Sequence, residues 1–219
     1  MARVLRGVAG MFKVGSQLFT AEGPAAVKKL AGLGCHIFLD LKFHDIPNTV
    51  ARAVGAAVKL PGVRLMTLHA AGGSAVLHAA REAAGNKRGR PMLLGVTVLT
   101  SFDSATLHEI GMEGPLGSRV LALALLAKNA GLDGIVASAH EAAAVRAELG
   151  AQFKILVPGV RPASAAANDQ SRVATPGEAV RAGADYLVVG RPITAAEDPR
   201  EAARSIVSEI SVAVRQQVT

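Results

Sequence analysis

The chain has 219 residues, and half of them are hydrophobic, which is enough for one domain with a sizeable core. The formal net charge is +7 at pH 7, but the basic residues are scattered and aromatic residues make up only 3%, so we expect no nucleic-acid partner. The one cysteine, Cys35, excludes a disulfide within the chain and favours a reducing, cytoplasmic setting. Charged residues or glycines interrupt every apolar stretch, so we expect no membrane span.

Seven short apolar runs alternate with alanine-rich segments of helical period, which is typical of a parallel sheet covered by helices. The predicted strands are residues 11–15, 36–42, 64–69, 92–99, 134–138, 154–158 and 186–190. The predicted helices are residues 24–33, 49–60, 74–84, 116–130, 140–149, 175–182 and 199–215. This order predicts an α/β fold in one domain over residues 1–219. A (β/α)8 barrel and an open doubly wound sheet both fit, because periodicity alone does not separate them.

Two helix ends share a local pattern. Residues 131–133 (GLD) and 183–185 (GAD) each follow a predicted helix and precede a predicted strand, and a glycine there suits a left-handed C-cap. Thr175 stands before a proline and is expected to cap the helix that follows, as is Asn48 or Thr49 farther upstream. These signals indicate helix–strand units of the kind that an α/β barrel repeats.

The end of the second predicted strand carries charge. Asp40 and Lys42 alternate onto one face, about 6.5 Å apart, and Asp45 follows in the loop. The preceding strand carries Lys13 near its own carboxyl end. Such a strand end is equally typical of a solvated surface. However, barrel enzymes bind substrates at the carboxyl ends of their strands, so we expect these four side chains to meet as alternating charges.

The last two predicted strands end in turns that contain glycine and arginine, among them Arg161, Gly190 and Arg191. The final strands of barrels commonly form a phosphate site, where glycine admits backbone N–H groups and arginine donates two hydrogen bonds. The polar segment 163–171, which includes Gln170, has the length of a lid. Each turn alone is typical of an ordinary loop, and the two together favour a phosphate site.

Residues 38–49 (FLDLKFHDIPNT) resemble the signature of the orotidine 5'-monophosphate decarboxylase family. Other segments resemble the same family in the same order, namely residues 12–15 (FKVG), 96–101 (VTVLTS), 158–162 (PGVRP), 169–170 (DQ) and 189–194 (VGRPIT). The resemblance extends from about residue 11 to the C-terminus. It implies a (β/α)8 TIM barrel that converts orotidine 5'-monophosphate to uridine 5'-monophosphate with no cofactor and no metal ion.

The resemblance also implies roles for the charged residues. Lys42 resembles the proton donor to C6 of the pyrimidine, and Asp40 resembles the carboxylate beside the departing carboxylate of the substrate. Lys13 and Asp45 complete a Lys-Asp-Lys-Asp array. In the family the second aspartate and a nearby threonine reach across a dimer interface. The resemblance therefore implies a homodimer in which Asp45 and Thr49 act in the partner's site.

The substrate-binding residues follow from the same resemblance. Thr100 resembles the position that contacts the pyrimidine. Gln170, Gly190 and Arg191 resemble the phosphate-binding residues, and Arg161 belongs to the loop that closes over the phosphate.

The chain departs from the family pattern at its N-terminus. The family has a first strand that ends in an aspartate contacting the ribose, whereas residues 2–10 resemble the end of the helix that follows that strand. We therefore expect the first barrel strand to lie upstream of Met1. A missing strand exposes two sheet edges, so we expect the 219-residue chain alone to be poorly active or unstable.

Two other functions stay open. A magnesium-dependent sugar-phosphate synthase or decarboxylase of the same suprafamily resembles this chain in Asp-x-Lys-x-x-Asp, but it typically has an acidic residue where Lys13 stands. A barrel that binds nucleoside monophosphates without turnover is the second alternative, and the missing strand is its support. No set of His, Asp and Glu residues has convincing metal spacing, and His69 is expected to be a structural residue.

Overall fold

A computed structural model describes residues 1–162 and 174–218 of the chain. Seven parallel strands form one sheet in which neighbours in the chain are neighbours in space. The strands are β1 (Phe12–Gly15), β2 (Ile37–Phe43), β3 (Val63–His69), β4 (Met92–Val96), β5 (Gly134–Val136), β6 (Lys154–Val157) and β7 (Tyr186–Leu187). The predicted α/β architecture with seven parallel strands is therefore confirmed.

Helices connect the strands on one side of the sheet. They are α1 (Ala2–Leu5), α2 (Ser16–Glu22), α3 (Pro24–Gly32), α4 (Pro47–Ala57), α5 (Gly73–Ala84), α6 (Ser104–Glu109), α7 (Leu116–Asn129), α8 (Ala139–Leu149), α9 (Pro176–Arg181), α10 (Arg191–Thr194) and α11 (Pro199–Val218), and a 3-10 turn (Ala70–Gly72) precedes α5. Within the described ranges, none of these helices combines the length and the apolar character needed to cross a membrane.

Successive side chains of the central strands enter two separate cores on opposite faces of the sheet. Leu39, Met66 and Leu93 belong to the larger core, which lies between the sheet and the helices. Phe38 and Leu65 belong to a smaller core on the other face, together with residues from β4, β5 and β6, and we call it the inner core. Side chains that flank both edge strands pack against this smaller core, so the sheet curls around it as the wall of a barrel does.

Several element boundaries differ from the predicted ones. Strand β4 ends at Val96, three residues before the predicted end, and beyond it the Thr97 hydroxyl donates to the Val136 carbonyl at 2.8 Å. The predicted cap at Asn48 or Thr49 is wrong, since α4 begins one residue earlier with a proline at its first position. The predicted cap at residue 175 is confirmed as a capping box with the glutamate three residues later.

The Gly-x-Asp pattern has a shared structural role in both units. The amide N–H of Asp133 donates to the Leu93 carbonyl at 3.0 Å, and its carboxylate accepts from the Leu93 amide at 2.7 Å. Asp185 forms the same reciprocal pair with Ile155, at 2.8 Å in both directions. Each aspartate therefore ties the start of one strand to its neighbour at the amino end of the sheet.

The two edge strands, β1 and β7, border an apolar groove. The groove has a volume of about 530 Å³ and is lined by the backbone before β1, by β7 and by α11. Phe38 and Leu156 of the inner core form part of its lining. In the part of the chain that the structure describes, β1 and β7 each pair with only one neighbouring strand, so the sheet remains open along this groove.

Candidate active site

The carboxyl end of β2 departs from regular strand geometry. Leu39 pairs with Met66 and Phe43 pairs with Leu68, so three residues of β2 face a single residue of β3. The extra residues form a bulge that contains Asp40 and Lys42. Lys42 has φ 50° and is the one non-glycine residue with a positive φ among the described residues. Such backbone strain is concentrated at functional sites, where the surrounding structure holds it in place.

Two ammonium groups contact one buried carboxylate. Asp40 is only 7% exposed, and its Oδ2 atom lies 2.8 Å from Nζ of Lys42 and 3.4 Å from Nζ of Lys13. Strand pairing sets Gly15 beside Asp40, and a side chain at Gly15 would begin 2.8 Å from the Lys13 ammonium. The glycine therefore leaves room for Lys13 to turn towards Asp40. Three of the four residues of the predicted charged array meet in this chain.

Thr67 on β3 completes the surroundings of Asp40. Its hydroxyl donates to Oδ1 of Asp40 at 2.9 Å and accepts from the Lys42 amide at 3.1 Å, and the residue is fully buried. Sequence reasoning missed Thr67 because threonine is common in strands. The one available signal was a hydroxyl in an otherwise apolar run beside the charged strand end.

The ionisation of Asp40 depends on these neighbours. Burial alone would raise its pKa, but the hydrogen bond and charge of Lys42, the charge of Lys13 and the hydrogen bond from Thr67 together hold the pKa below its usual range. Asp40 is therefore a carboxylate at neutral pH. A buried anion beside two cations keeps both ammonium groups close to the cavity that they line.

A cavity of about 370 Å³ joins the charged array to the ends of the last strands. The predicted site residues that line it are Lys13, Asp40, Lys42, Thr100, Arg161, Gly190 and Arg191. Arg161 is 5% exposed, whereas Arg191 and Gly190 lie at the surface. A side chain built at Gly190 would meet no atom within 4 Å, so the backbone there borders open space that a ligand can enter. The cavity therefore has cations at both ends and apolar side chains between them.

Two predicted site residues, Asp45 and Thr49, do not line this cavity. Asp45 and Thr49 are exposed, and the Asp45 carboxylate accepts from the neighbouring Ile46 amide at 2.6 Å. Asp45 therefore lies outside the array of its own subunit, and its action in the partner's site stays a prediction. Gln170 and the predicted lid, residues 163–171, lie outside the described residues.

Two histidine rings lie beside the array. The His69 and His44 ring centroids are 5.1 Å apart, and the planes are tilted by 35°. Burial lowers the pKa of His69, the charges of His44 and Lys42 lower it further, and Asp40 opposes them. His69 is therefore neutral at pH 7. In residues 1–162 and 174–218, no three His, Cys, Asp or Glu side chains are grouped in a way that could hold a metal ion.

The chemistry of this cavity suits an anionic molecule with two separated charges. The ammonium groups at the strand ends can stabilise negative charge that develops on a bound ring, and Lys42 can donate a proton. Arg191 can donate two parallel hydrogen bonds to a remote anionic group. Apolar side chains line the cavity between these two groups of cations.

Comparisons with known proteins agree with this geometry. Residues 1–206 match the family model described as the orotidine 5'-phosphate decarboxylase / HUMPS family. An orotidine 5'-phosphate decarboxylase of Nitrosococcus oceani is 57% identical over 91% of this chain and 85% of its own length, and one of Syntrophotalea carbinolica is 52% identical over 98% and 89%. The crystal structure of orotidine 5'-phosphate decarboxylase from Lactobacillus acidophilus is 40% identical, with a TM-score of 0.79 over 90% of this chain and 85% of that one. This chain belongs to the orotidine 5'-phosphate decarboxylase / HUMPS family.

Proposed function

We propose that this protein decarboxylates orotidine 5'-monophosphate to uridine 5'-monophosphate, without a cofactor, as a step of pyrimidine nucleotide synthesis. One observation carries the proposal. Lys42, in contact with Asp40, lines the same cavity as Gly190 and Arg191. A nucleotide whose ring reaches Lys42 can therefore place its phosphate at the end of β7. The names of relatives at 52–57% identity support this substrate.

In the proposed reaction the bond between C6 and the carboxylate breaks, CO2 leaves, and the electron pair remains on C6. Lys42 stabilises this developing negative charge and then transfers a proton from its ammonium group to the carbon. The resulting amine recovers its proton from solvent. The contact of 2.8 Å between Lys42 and Asp40 supports this role, because it holds the ammonium group at the cavity that the ring enters.

The proposed role of Asp40 is electrostatic. Its low pKa keeps it ionised beside the departing carboxylate, so it holds Lys42 and Lys13 in position throughout the reaction. The arrangement of one anion between two cations is supported by both contacts to Oδ2 of Asp40. Repulsion between Asp40 and the substrate carboxylate is a further contribution, of the kind called ground-state destabilisation.

The phosphate lies far from the reacting carbon in this proposal. Gln170, Gly190 and Arg191 bind it, the loop of Arg161 closes over it, and Thr100 contacts the pyrimidine. Binding energy from a remote group can be used to exclude water and orient the ring, so the phosphate contributes to rate as well as to affinity.

We also propose that the enzyme is a homodimer of the cytoplasm. The exposure of Asp45 and Thr49, outside the cavity of their own subunit, supports their action in the partner's site. Ile46 between them is 65% exposed, and an apolar side chain in that position is typical of an interface. The fourth member of the charged array then comes from the second subunit.

The test is a decarboxylation assay with orotidine 5'-monophosphate. We expect low but measurable turnover by the unaltered 219-residue protein. For Lys42→Ala we expect a loss of about 1,000-fold or more in kcat, because the variant removes both the proton donor and the cation. Lys28→Ala, which removes an exposed lysine of α3, is the control and keeps full activity.

Two other outcomes would contradict the proposal. Loss of turnover in the presence of a metal chelator would favour the magnesium-dependent sugar-phosphate enzymes of the suprafamily. A higher melting temperature with uridine 5'-monophosphate, but no turnover by the unaltered protein, would favour a barrel that only binds nucleotides.

A further inference from the structure

We propose that Thr67 is a positioning residue for the reaction, one that sets the placement of both Asp40 and Lys42 through a single hydroxyl group. This inference rests on the proposed function, because the reaction that Thr67 serves is the decarboxylation. It goes beyond that function because Thr67 does not itself line the cavity. Its effect is exerted on two residues that do.

The hydroxyl of Thr67 uses both of its hydrogen-bonding capacities on the array. It donates its proton to Oδ1 of Asp40 at 2.9 Å, while Oδ2 of the same carboxylate faces Lys42 and Lys13. It accepts the Lys42 backbone N–H at 3.1 Å. Because the hydroxyl is fully buried, no water replaces either contact. The two bonds fix the carboxylate plane and the lysine backbone relative to each other.

The β-bulge explains why a hydroxyl group is needed at Thr67. At the bulge, Thr67 alone faces residues 40–42, so the Lys42 amide lies out of register with the backbone of β3. A strand amide in that position needs another acceptor, and the Thr67 side chain provides it. The left-handed φ of 50° at Lys42 is thereby held in place. Since threonine is branched at Cβ, its side chain has few alternative rotamers and holds this geometry firmly.

The pKa of Asp40 depends on the hydrogen bond that Thr67 donates to it. The charged or titratable groups that face Asp40 are Lys13 from β1, Lys42 from its own strand and His69 from β3. Thr67 adds a hydrogen bond that favours the anionic form, so its removal raises the pKa of Asp40. The acid limb of the pH profile of kcat/KM follows that pKa and moves to higher pH.

The experiment compares Thr67→Val, which keeps the shape and removes the hydroxyl, with Thr67→Ser, which keeps the hydroxyl. For Thr67→Val we expect kcat to fall by about 10- to 100-fold, with little change in KM because the phosphate contacts are untouched. The acid limb moves to higher pH in the same variant. Thr67→Ser restores most of the rate and returns the acid limb to its original position.

A matched control separates this role from simple core damage. Thr97 is also buried, at 4% exposure, and its hydroxyl donates to a backbone carbonyl away from Asp40. Thr97→Val therefore loses one buried hydrogen bond and some stability, but it leaves the acid limb where it was. If Thr67→Val does not fold, Thr67→Ala takes its place in the comparison with Thr67→Ser.

A second measurement keeps the inference testable if no decarboxylation is found. The pKa of the Asp40 carboxyl is followed by carbon-13 NMR, with the signal assigned from its absence in Asp40→Asn. A raised Asp40 pKa in Thr67→Val, together with the pKa of the unaltered protein in Thr67→Ser, supports the placement of Asp40 by the Thr67 hydroxyl whether or not the proposed reaction is found. An unchanged pKa and acid limb in Thr67→Val, or equal losses in the valine and serine variants, would overturn it.

Discussion

Arg191 follows β7 in the chain and lines the cavity that contains the charged array. It lines this cavity beside Gly190, at the end of the sheet opposite to Lys13 and Lys42 in strand order. A guanidinium recognises a phosphate by two parallel hydrogen bonds, which a lysine ammonium does not reproduce. The proposed function therefore assigns Arg191 to the part of the substrate that does not react.

This assignment gives a prediction that depends on the substrate. We expect Arg191→Ala to lower kcat/KM for orotidine 5'-monophosphate by about 10- to 100-fold, and Arg191→Lys to recover only part of the loss. With orotidine, the nucleoside that lacks the phosphate, both variants should match the unaltered protein. Arg204→Ala, which removes an exposed arginine of α11, is the control. Equal losses with both substrates would show that Arg191 does not act on the phosphate.

At the residue scale, the sequence was informative where charge follows an apolar strand. Lys13, Asp40 and Lys42 were predicted to meet, because strand ends of a parallel sheet lie at one edge, and their contacts confirm it. Thr67 was not predictable, since its partners depend on a bulge that shifts the pairing of two strands. The neighbours of Asp45 could not be predicted from one subunit either, because its proposed site lies in the second subunit.

At the scale of elements, Asp185 joins two strands at the amino end of the sheet. Its carboxylate accepts from the Ile155 amide at 2.8 Å and contacts Arg146 and Lys154. Burial opposes its ionisation, but the Ile155 amide, Lys154 and Arg146 together hold its pKa below the usual range. The Gly-x-Asp unit at Asp133 repeats this arrangement, so the two units stabilise neighbouring parts of the sheet in the same way.

The contacts of Asp185 predict a pH-dependent contribution to stability. We expect Asp185→Asn to lower the free energy of unfolding at pH 7 by about 1.5–3 kcal/mol, because charge-assisted hydrogen bonds are lost. A carboxyl whose folded pKa is lowered stabilises the fold above its unfolded pKa of about 3.9, and this stabilisation is lost as the pH falls through the folded pKa. The difference between the two proteins should therefore shrink in acid.

Urea unfolding of both proteins between neutral pH and acid measures this difference. Glu148→Gln removes one negative charge from the exposed face of α8 and is the matched control. A difference between the Asp185→Asn variant and the unaltered protein that stays constant down to the lowest pH would contradict this account of the Asp185 carboxylate.

Long elements were easier to predict than short ones. All seven strands were predicted, because continuous apolar runs between helical segments are typical of a parallel sheet. Helices α2, α6 and α10 were missed, and they have seven, six and four residues. A helix of two turns or fewer shows too little of the 3.6-residue period to be recognised. The helix α6 did have a start signal, since the Asp103 carboxylate accepts from the Thr106 amide at 2.8 Å.

At the scale of the whole molecule, the sheet curls around its inner core but stays open between β1 and β7. The groove there contains apolar side chains, including Met11, Tyr186 and Val188, which also pack on the inner core. Exposed apolar surface and unpaired strand edges reduce stability and favour association. The expectation of one domain over residues 1–219 remains a prediction.

The curl of the sheet also determines how the proposed site is assembled. It brings the carboxyl ends of β1 and β2 and the segment after β7 to the lining of one cavity, although these elements lie near opposite ends of the strand order. The proposed function therefore depends on the sheet as a whole. A single nucleotide must span the distance from Lys42 to Arg191.

A crystal structure with uridine 5'-monophosphate bound tests this claim most directly. We predict that C6 of the pyrimidine faces Nζ of Lys42, that the phosphate accepts from Arg191 and the Gly190 amide, and that Asp45 of a second subunit reaches the same site. A phosphate bound away from Arg191, or a pyrimidine ring remote from Lys42, would contradict the account.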